Sequence, residues 1–223
     1  MSSHAQESIK VETGPNPTVS VIWLHGLGAD GGDFVPIVRE LDLAGCPPIR
    51  FVFPHAPTMP VTINNGYIMR AWYDILGADL LQREDEIGLR RSQKMVEHLI
   101  AQEKASGTPS ERIVLAGFSQ GCAMALQTGL RHPEKLAGLL CLSGYLPLHA
   151  TLPAERHDAN HGTPIFLAHG RGDPIVPIDR AEKSRDILLS LGYNVEWHAY
   201  PMQHEVCMDE IDDISAWFRR TLT

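Results

Sequence analysis

The pentapeptide Gly117-Phe118-Ser119-Gln120-Gly121 stands between two stretches of opposite character. Arg112-Ile113-Val114-Leu115-Ala116 is a short apolar run rich in β-branched residues, which predicts a strand. Cys122 to Arg131 lacks proline and predicts a helix. A serine set between two glycines, where a strand gives way to a helix, fits a turn too sharp for large neighbouring side chains. Such a turn leaves the Ser119 hydroxyl projecting into the open, as in a nucleophile elbow built for covalent acyl transfer. The competing reading is a tight-turn serine that only caps the next helix.

The surrounding chain alternates strand-length apolar runs with longer segments of helical period. Val19 to Leu24, Ile49 to Phe53, Ile113 to Ala116, Leu136 to Leu142, Ile165 to Ala168 and Val195 to Tyr200 predict strands, with an edge strand around Ile9 to Glu12. Phe34, Ile37, Val38 and Leu41 fall at helical spacing, as do Met95, Val96, Leu99 and Ile100 after Asp85. Two more helices are predicted from Asp179 to Leu191 and around Ile211, Ile214, Trp217 and Phe218. Strands without polar alternation are buried on both faces, which implies an α/β fold with a mostly parallel sheet between helices. At 223 residues the chain fits one domain spanning residues 1–223, with residues 1–17 a polar lead-in. Two long connections, His55 to Glu86 and Gly144 to Pro164, invite a functional role, though neither could form a cap domain.

Composition removes other classes of function. Acidic residues outnumber basic ones 27 to 19, for a formal net charge of −8, and no stretch concentrates Lys and Arg, so a nucleic-acid role is not expected. No apolar run reaches the roughly 18 residues of a membrane span. Met1 to Pro17 has no apolar h-region of a secretory signal. Cys46, Cys122, Cys141 and Cys207 lie far apart, with no metal-like spacing, and read as free thiols of a cytoplasmic protein. His157 and His161 have metal-compatible spacing only if helical, and their polar, Pro/Gly-bounded setting predicts a solvated loop instead.

A serine nucleophile needs a base, and the base needs an acid to hold its tautomer. In an open α/β sheet these groups must converge just past the carboxyl ends of strands. Asp173 qualifies, following Ile165-Phe166-Leu167-Ala168-His169 through the small loop Gly170-Arg171-Gly172. Its alternative is an ordinary turn aspartate before Pro174. Chain order after an elbow serine is acid, then histidine, which leaves His198 and His204. His198 lies inside the predicted last strand, whereas His204 lies in the loop after it and is the chosen base. Two N–H donors for the oxyanion are read as Gln120, directly after the nucleophile, and Leu27, in His25-Gly26-Leu27-Gly28 after the first long strand.

Taken in order, His25-Gly26-Leu27-Gly28-Ala29-Asp30, Pro54-His55-Ala56-Pro57, Trp72-Tyr73-Asp74, the Ser119 pentapeptide and Gly170-Arg171-Gly172-Asp173-Pro174 resemble the phospholipase/carboxylesterase family across nearly the whole chain. That family includes acyl-protein thioesterases and bacterial carboxylesterases. The resemblance implies a compact α/β-hydrolase fold without a large cap, and supports Ser119, Asp173, His204, Leu27 and Gln120 in the roles given. It further implies no metal or cofactor, and an acyl groove walled by the segment around Met69 to Leu76, with Met69, Trp72 and Leu76 as its substrate-binding residues. Apolar residues of both long connections, Ile63, Ile75 and Tyr145 among them, motivate the same groove. The implied activity is hydrolysis of small acyl esters, with short or medium chains, or of thioesters or lysophospholipids. Depalmitoylation of proteins is the alternative, and the Trp72-Tyr73 pair looks more like the bacterial branch. Relatives often form dimers, so a homodimer is admitted. The chain departs from the family where Gln203 replaces a common glycine before the histidine. A reading of another class is a non-catalytic α/β-hydrolase scaffold that holds an apolar ligand.

Overall fold

Strands whose residues are all buried need cover on both sides, and the sheet has it. The computed structural model describes residues 7–77 and 84–223. Residues 1–6 of the polar lead-in and 78–83 of the first long connection lie outside them. In chain order come β1 (Ser8–Glu12), β2 (Val19–Leu24), a short α1 (Ile37–Glu40) and β3 (Ile49–Pro54). The pair β4 (Thr58–Val61) and β5 (Tyr67–Arg70) follows, then α2 (Glu86–Ala105), β6 (Ile113–Phe118), α3 (Gln120–Gly129) and β7 (Gly138–Leu142). The chain finishes with α4 (Leu152–Glu155), β8 (Ile165–Gly170), α5 (Ile178–Ser190), β9 (Val195–Tyr200) and α6 (Met208–Leu222).

Seven strands form one sheet in the order β1-β3-β2-β6-β7-β8-β9, and only the edge strand β1 is antiparallel to its neighbour. Along β2, Val19, Val21 and Trp23 join one core while Ile22 and Leu24 join the other. The first core is closed by α1 and α6, through Ile37, Ile211, Ile214, Trp217 and Phe218. The second is closed by α2, α3 and α5, through Leu89, Val96, Ala123, Leu126 and Leu188. Each large side chain fully buried this way contributes about 1.5–3 kcal/mol of transfer free energy. Strand order reverses beside β2: the chain leaves β2 for β3 on one side, and β6 lies on the other. The loops after β2 and β6 therefore part at a switch point, where open α/β sheets place their ligands.

Two elements differ from the sequence reading. The helix expected over Phe34 to Leu41 shrinks to α1, because Pro36 has no N–H and disfavours helical backbone at Val35. Short-range bonds replace the helical ladder there, Val35 N–H to Gly32 C=O and Arg39 N–H to Pro36 C=O. The connection from His55 to Glu86 also holds an unforeseen hairpin, β4 with β5. Its turn needs positive φ at Asn65 and Gly66, and Gly66 N–H closes it on Val61 C=O.

Glu210 is fully buried at the start of α6. Burial pushes its carboxyl up to about 8, the Cys207 backbone N–H works against the shift, and the Asp213 charge adds to it. A raised carboxyl binds its proton more tightly folded than unfolded, so its contribution is intact below the ordinary 4.5 and fades as pH rises through about 8. Denaturant titrations should show stability falling from pH 5 to 9 by on the order of 4 kcal/mol through this group, and Glu210→Gln should flatten that slope. An unchanged slope in Glu210→Gln would place the dependence elsewhere.

Candidate active site

Ser119 sits between the end of β6 and the first residue of α3, with φ 55° and ψ −115°. A β-carbon residue in that region is strained by about 1–3 kcal/mol, so its surroundings must hold it. They do so through Ser119 N–H to Leu142 C=O at 2.8 Å and Ala123 N–H to Ser119 C=O at 3.2 Å. The glycines of the pentapeptide are required by contact. A Cβ on Gly121 would collide with the Leu24 carbonyl, and one on Gly117 with the Gly121 backbone.

Register brings the partners to the same rim. Leu24 pairs with Gly117, Phe118 with Leu142, Leu142 with Ala168 and Gly170 with Tyr200. Past β8, Arg171 N–H bonds Tyr200 C=O at 2.8 Å and Gly172 N–H bonds Met202 C=O at 3.0 Å. These two bonds staple the loop carrying Asp173 to the loop carrying His204. Asp173 Oδ1 accepts the N–H groups of Ile175 and Val176 at 2.8 and 2.9 Å, and Oδ2 accepts His204 Nδ1–H at 2.6 Å. The Ser119 hydroxyl donates to His204 Nε2 at 3.0 Å. The Asp173 side chain is sealed from solvent, whereas His204 is 18% exposed and can meet a substrate. Gln203 needs no glycine-like backbone, since it is absent from the residues of positive φ. The tight position is instead Gly170, where a Cβ would strike the Gln203 carbonyl.

A histidine that the sequence reading takes as structural or surface stands behind Asp173. His169 is fully buried, donates Nε2–H to Val176 C=O at 2.7 Å and lies 3.4 Å from Asp173 Oδ2. Burial lowers its pKa, with the Val176 carbonyl and the Asp173 charge opposing. It holds the turn whose N–H groups grip Asp173. His198, the rejected candidate, packs on Phe166 and contacts Asp213 and Glu196. His157 accepts the Ala159 N–H, and the His161 ring lies 5.5 Å from Tyr193.

Ser119, His204, Leu27 and Gln120 line one cavity of about 700 Å³. Neighbouring backbone donors are committed elsewhere: Gly28 N–H to Arg70 C=O, Ala29 N–H to Gly26 C=O, and Ser119 N–H as above. The walls are mainly apolar, from Phe118, Ile63, Ile75, Ile175 and Val176. Tyr73 and Tyr145 add a polar spot, their hydroxyls 2.8 Å apart. Of the groove residues expected from the sequence, Ile63, Ile75 and Tyr145 line this cavity, whereas Met69, Trp72 and Leu76 are not among its lining residues. Trp72 is fully buried, and its polar atoms are spent internally. Its indole N–H bonds His25 C=O at 2.9 Å, its backbone N–H bonds Gln120 Oε1 at 2.9 Å, and its carbonyl accepts from Ser92. Met69 turns its sulfur to the Asn64 amide instead. From the same segment Tyr73, which the sequence reading does not name for the groove, joins Ile75 on the wall.

Residues 5–222 match the family described as Phospholipase/Carboxylesterase. Acyl-protein thioesterase 1 of Gibberella zeae is 42% identical over 219 residues, covering 92% of this chain and 91% of that protein. The solved structure of Arabidopsis thaliana SOBER1 has a TM-score of 0.86 at 31% identity, covering 92% of this chain and 99% of that one. For Zea mays acyl-protein thioesterase 2 the TM-score is 0.84 at 27% identity, with 98% and 100% covered. The chain therefore belongs to the phospholipase/carboxylesterase family of α/β-hydrolases, and is an enzyme of that hydrolase class.

Proposed function

We propose that this enzyme cleaves acyl thioesters and carboxylic esters through an acyl-enzyme on Ser119. The observation that carries the proposal is the hydrogen-bonded series from Asp173 through His204 to Ser119, opening on an apolar cavity. His204 Nε2 takes the hydroxyl proton as Ser119 Oγ attacks the acyl carbonyl, and Asp173 steadies the imidazolium. The carbonyl oxygen, now an oxyanion, rests on the N–H groups of Leu27 and Gln120. The C–S or C–O bond breaks, and His204 returns the proton to the departing thiol or alcohol. Water then repeats the attack on the acyl-Ser119 ester and releases the carboxylic acid. Relatives named acyl-protein thioesterase favour thioesters borne on proteins as the substrate class.

The cavity makes a quantitative claim about the acyl group. Each methylene drawn out of water is worth about 0.8 kcal/mol, or roughly fourfold in kcat/KM where the transition state is held as well as the ground state. A panel of thioesters and esters from acetyl to palmitoyl should therefore show kcat/KM climbing by about that factor per methylene until the cavity is full. A fluorophosphonate probe should label Ser119, as read by peptide mass. A profile flat in chain length would remove the acyl cavity, and labelling at another residue would remove Ser119.

A further inference from the structure

Both ring nitrogens of His25 are engaged, and each bond has a direction. The Ala56 backbone N–H donates to Nε2 at 3.0 Å, so Nε2 presents a lone pair and the neutral ring carries its proton on Nδ1. Nδ1–H then donates to the Gly26 carbonyl at 2.7 Å. That carbonyl shares a planar trans peptide with the Leu27 N–H, pointing the opposite way. Holding the carbonyl end of such a plane fixes the direction of its N–H. The ring is buried, and burial lowers its pKa against the pull of the Gly26 carbonyl, which favours the neutral form this bonding requires.

A second tie joins this peptide to the other oxyanion donor. The His25 carbonyl accepts the Trp72 indole N–H, the Trp72 ring lies 5.3 Å from the imidazole, and the Trp72 backbone N–H bonds the Gln120 side chain. The Gln120 amide completes the clamp by donating to Tyr73 C=O at 2.7 Å. One continuous set of buried bonds thus runs from the Leu27 peptide to the residue that follows the nucleophile.

We propose that His25 is a positioning residue that aims the Leu27 N–H at the oxyanion, with Trp72 bracing it against Gln120. The proposal rests on the reading of Leu27 and Gln120 as oxyanion donors. His25 itself touches no reacting atom. Losing an oxyanion donor altogether costs roughly 10²- to 10³-fold in kcat, so a misaimed one should cost about 10- to 100-fold.

The test compares His25→Phe, which keeps a ring but no nitrogen, with His25→Asn, whose amide N–H occupies the place of Nδ1. His25→Phe should lose about 10- to 100-fold in kcat with KM within about twofold, and His25→Asn should recover most of that loss. A trifluoromethyl ketone analogue, whose adduct places an oxyanion in the same spot, should weaken by the same factor as kcat/KM. A non-hydrolysable ether analogue of the substrate should bind as before. Ser20→Ala is the stability control. It removes buried bonds to Glu103 and Thr108 from the far end of the same strand, and should lower Tm without lowering kcat. Should His25→Phe not fold, Trp72→Phe removes the indole donor to His25 C=O along with part of a buried ring, and should lower kcat several-fold at constant KM. Full-speed turnover by the folded phenylalanine variant, or an unweakened ketone adduct, would overturn the role of His25. Failure of the wild-type protein to label at Ser119 would instead overturn the underlying reading of the site.

Discussion

Replacing Ser119 by alanine should lower kcat on every ester and thioester by about 10⁴- to 10⁶-fold, with the fold retained. The magnitude follows from what is removed: the atom that forms the covalent bond, with no second hydroxyl among the described residues bonded to His204 to give it a proton. The fold is retained because alanine keeps the Leu142 and Ala123 backbone bonds that hold the turn. Ser119→Gly adds a check on the strain at φ 55°, ψ −115°. Glycine relieves strain of about 1–3 kcal/mol at a conformational-entropy cost of about 0.5–1, so this inactive variant should be more stable than wild type by on the order of 1 kcal/mol. Turnover and thermal unfolding on the same three preparations decide both points. Wild-type-like hydrolysis by Ser119→Ala would end the proposed mechanism, and a less stable Ser119→Gly would show that the turn stores no strain.

What made the sheet readable is that its central strands are buried on both faces and appear in the sequence as unbroken apolar runs. Val19–Leu24 and Val195–Tyr200 match the expected strands end to end, while other bounds move by a residue or two. The hairpin of β4 and β5 was hidden because its strands are four residues each, one contains Pro60, and only Asn65-Gly66 signals its turn. The Ser119 site was legible because each residue is announced by its place after a strand, although His204 lies 85 residues from Ser119 and 31 from Asp173. The cavity wall was harder. Trp72 and Tyr73 lie in a bend just past β5, where no strand or helix period fixes the phase that decides which ring meets the cavity. Nothing local sets that phase. It is set by Gln120 and His25, which take the two N–H groups of Trp72 and roll the indole inward, leaving Tyr73 and Ile75 on the cavity. The bonds of His25 and His169 are illegible for a related reason, since both rings act on backbone carbonyls, which no residue pattern marks.

Asp173→Asn should lower kcat by about 10⁴-fold while changing Tm only slightly. The native carboxylate divides its work, Oδ1 holding the Ile175 and Val176 N–H groups and Oδ2 the His204 Nδ1–H. In asparagine the amide oxygen satisfies the two backbone donors best, which turns the NH₂ toward His204. An NH₂ facing Nδ1 asks that nitrogen for a lone pair, so the neutral ring carries its proton on Nε2, against the Ser119 hydroxyl. The base is then blocked at the one nitrogen that must receive a proton. Because the substitution is nearly isosteric, loop and sheet should hold, and His204 should stay near its place. Steady-state kinetics paired with nitrogen-detected NMR of the His204 tautomer would test both halves. A loss smaller than about tenfold, with Nδ1 still protonated, would mean that Asp173 serves its own turn through Ile175 and Val176 and that the imidazole is oriented by something else.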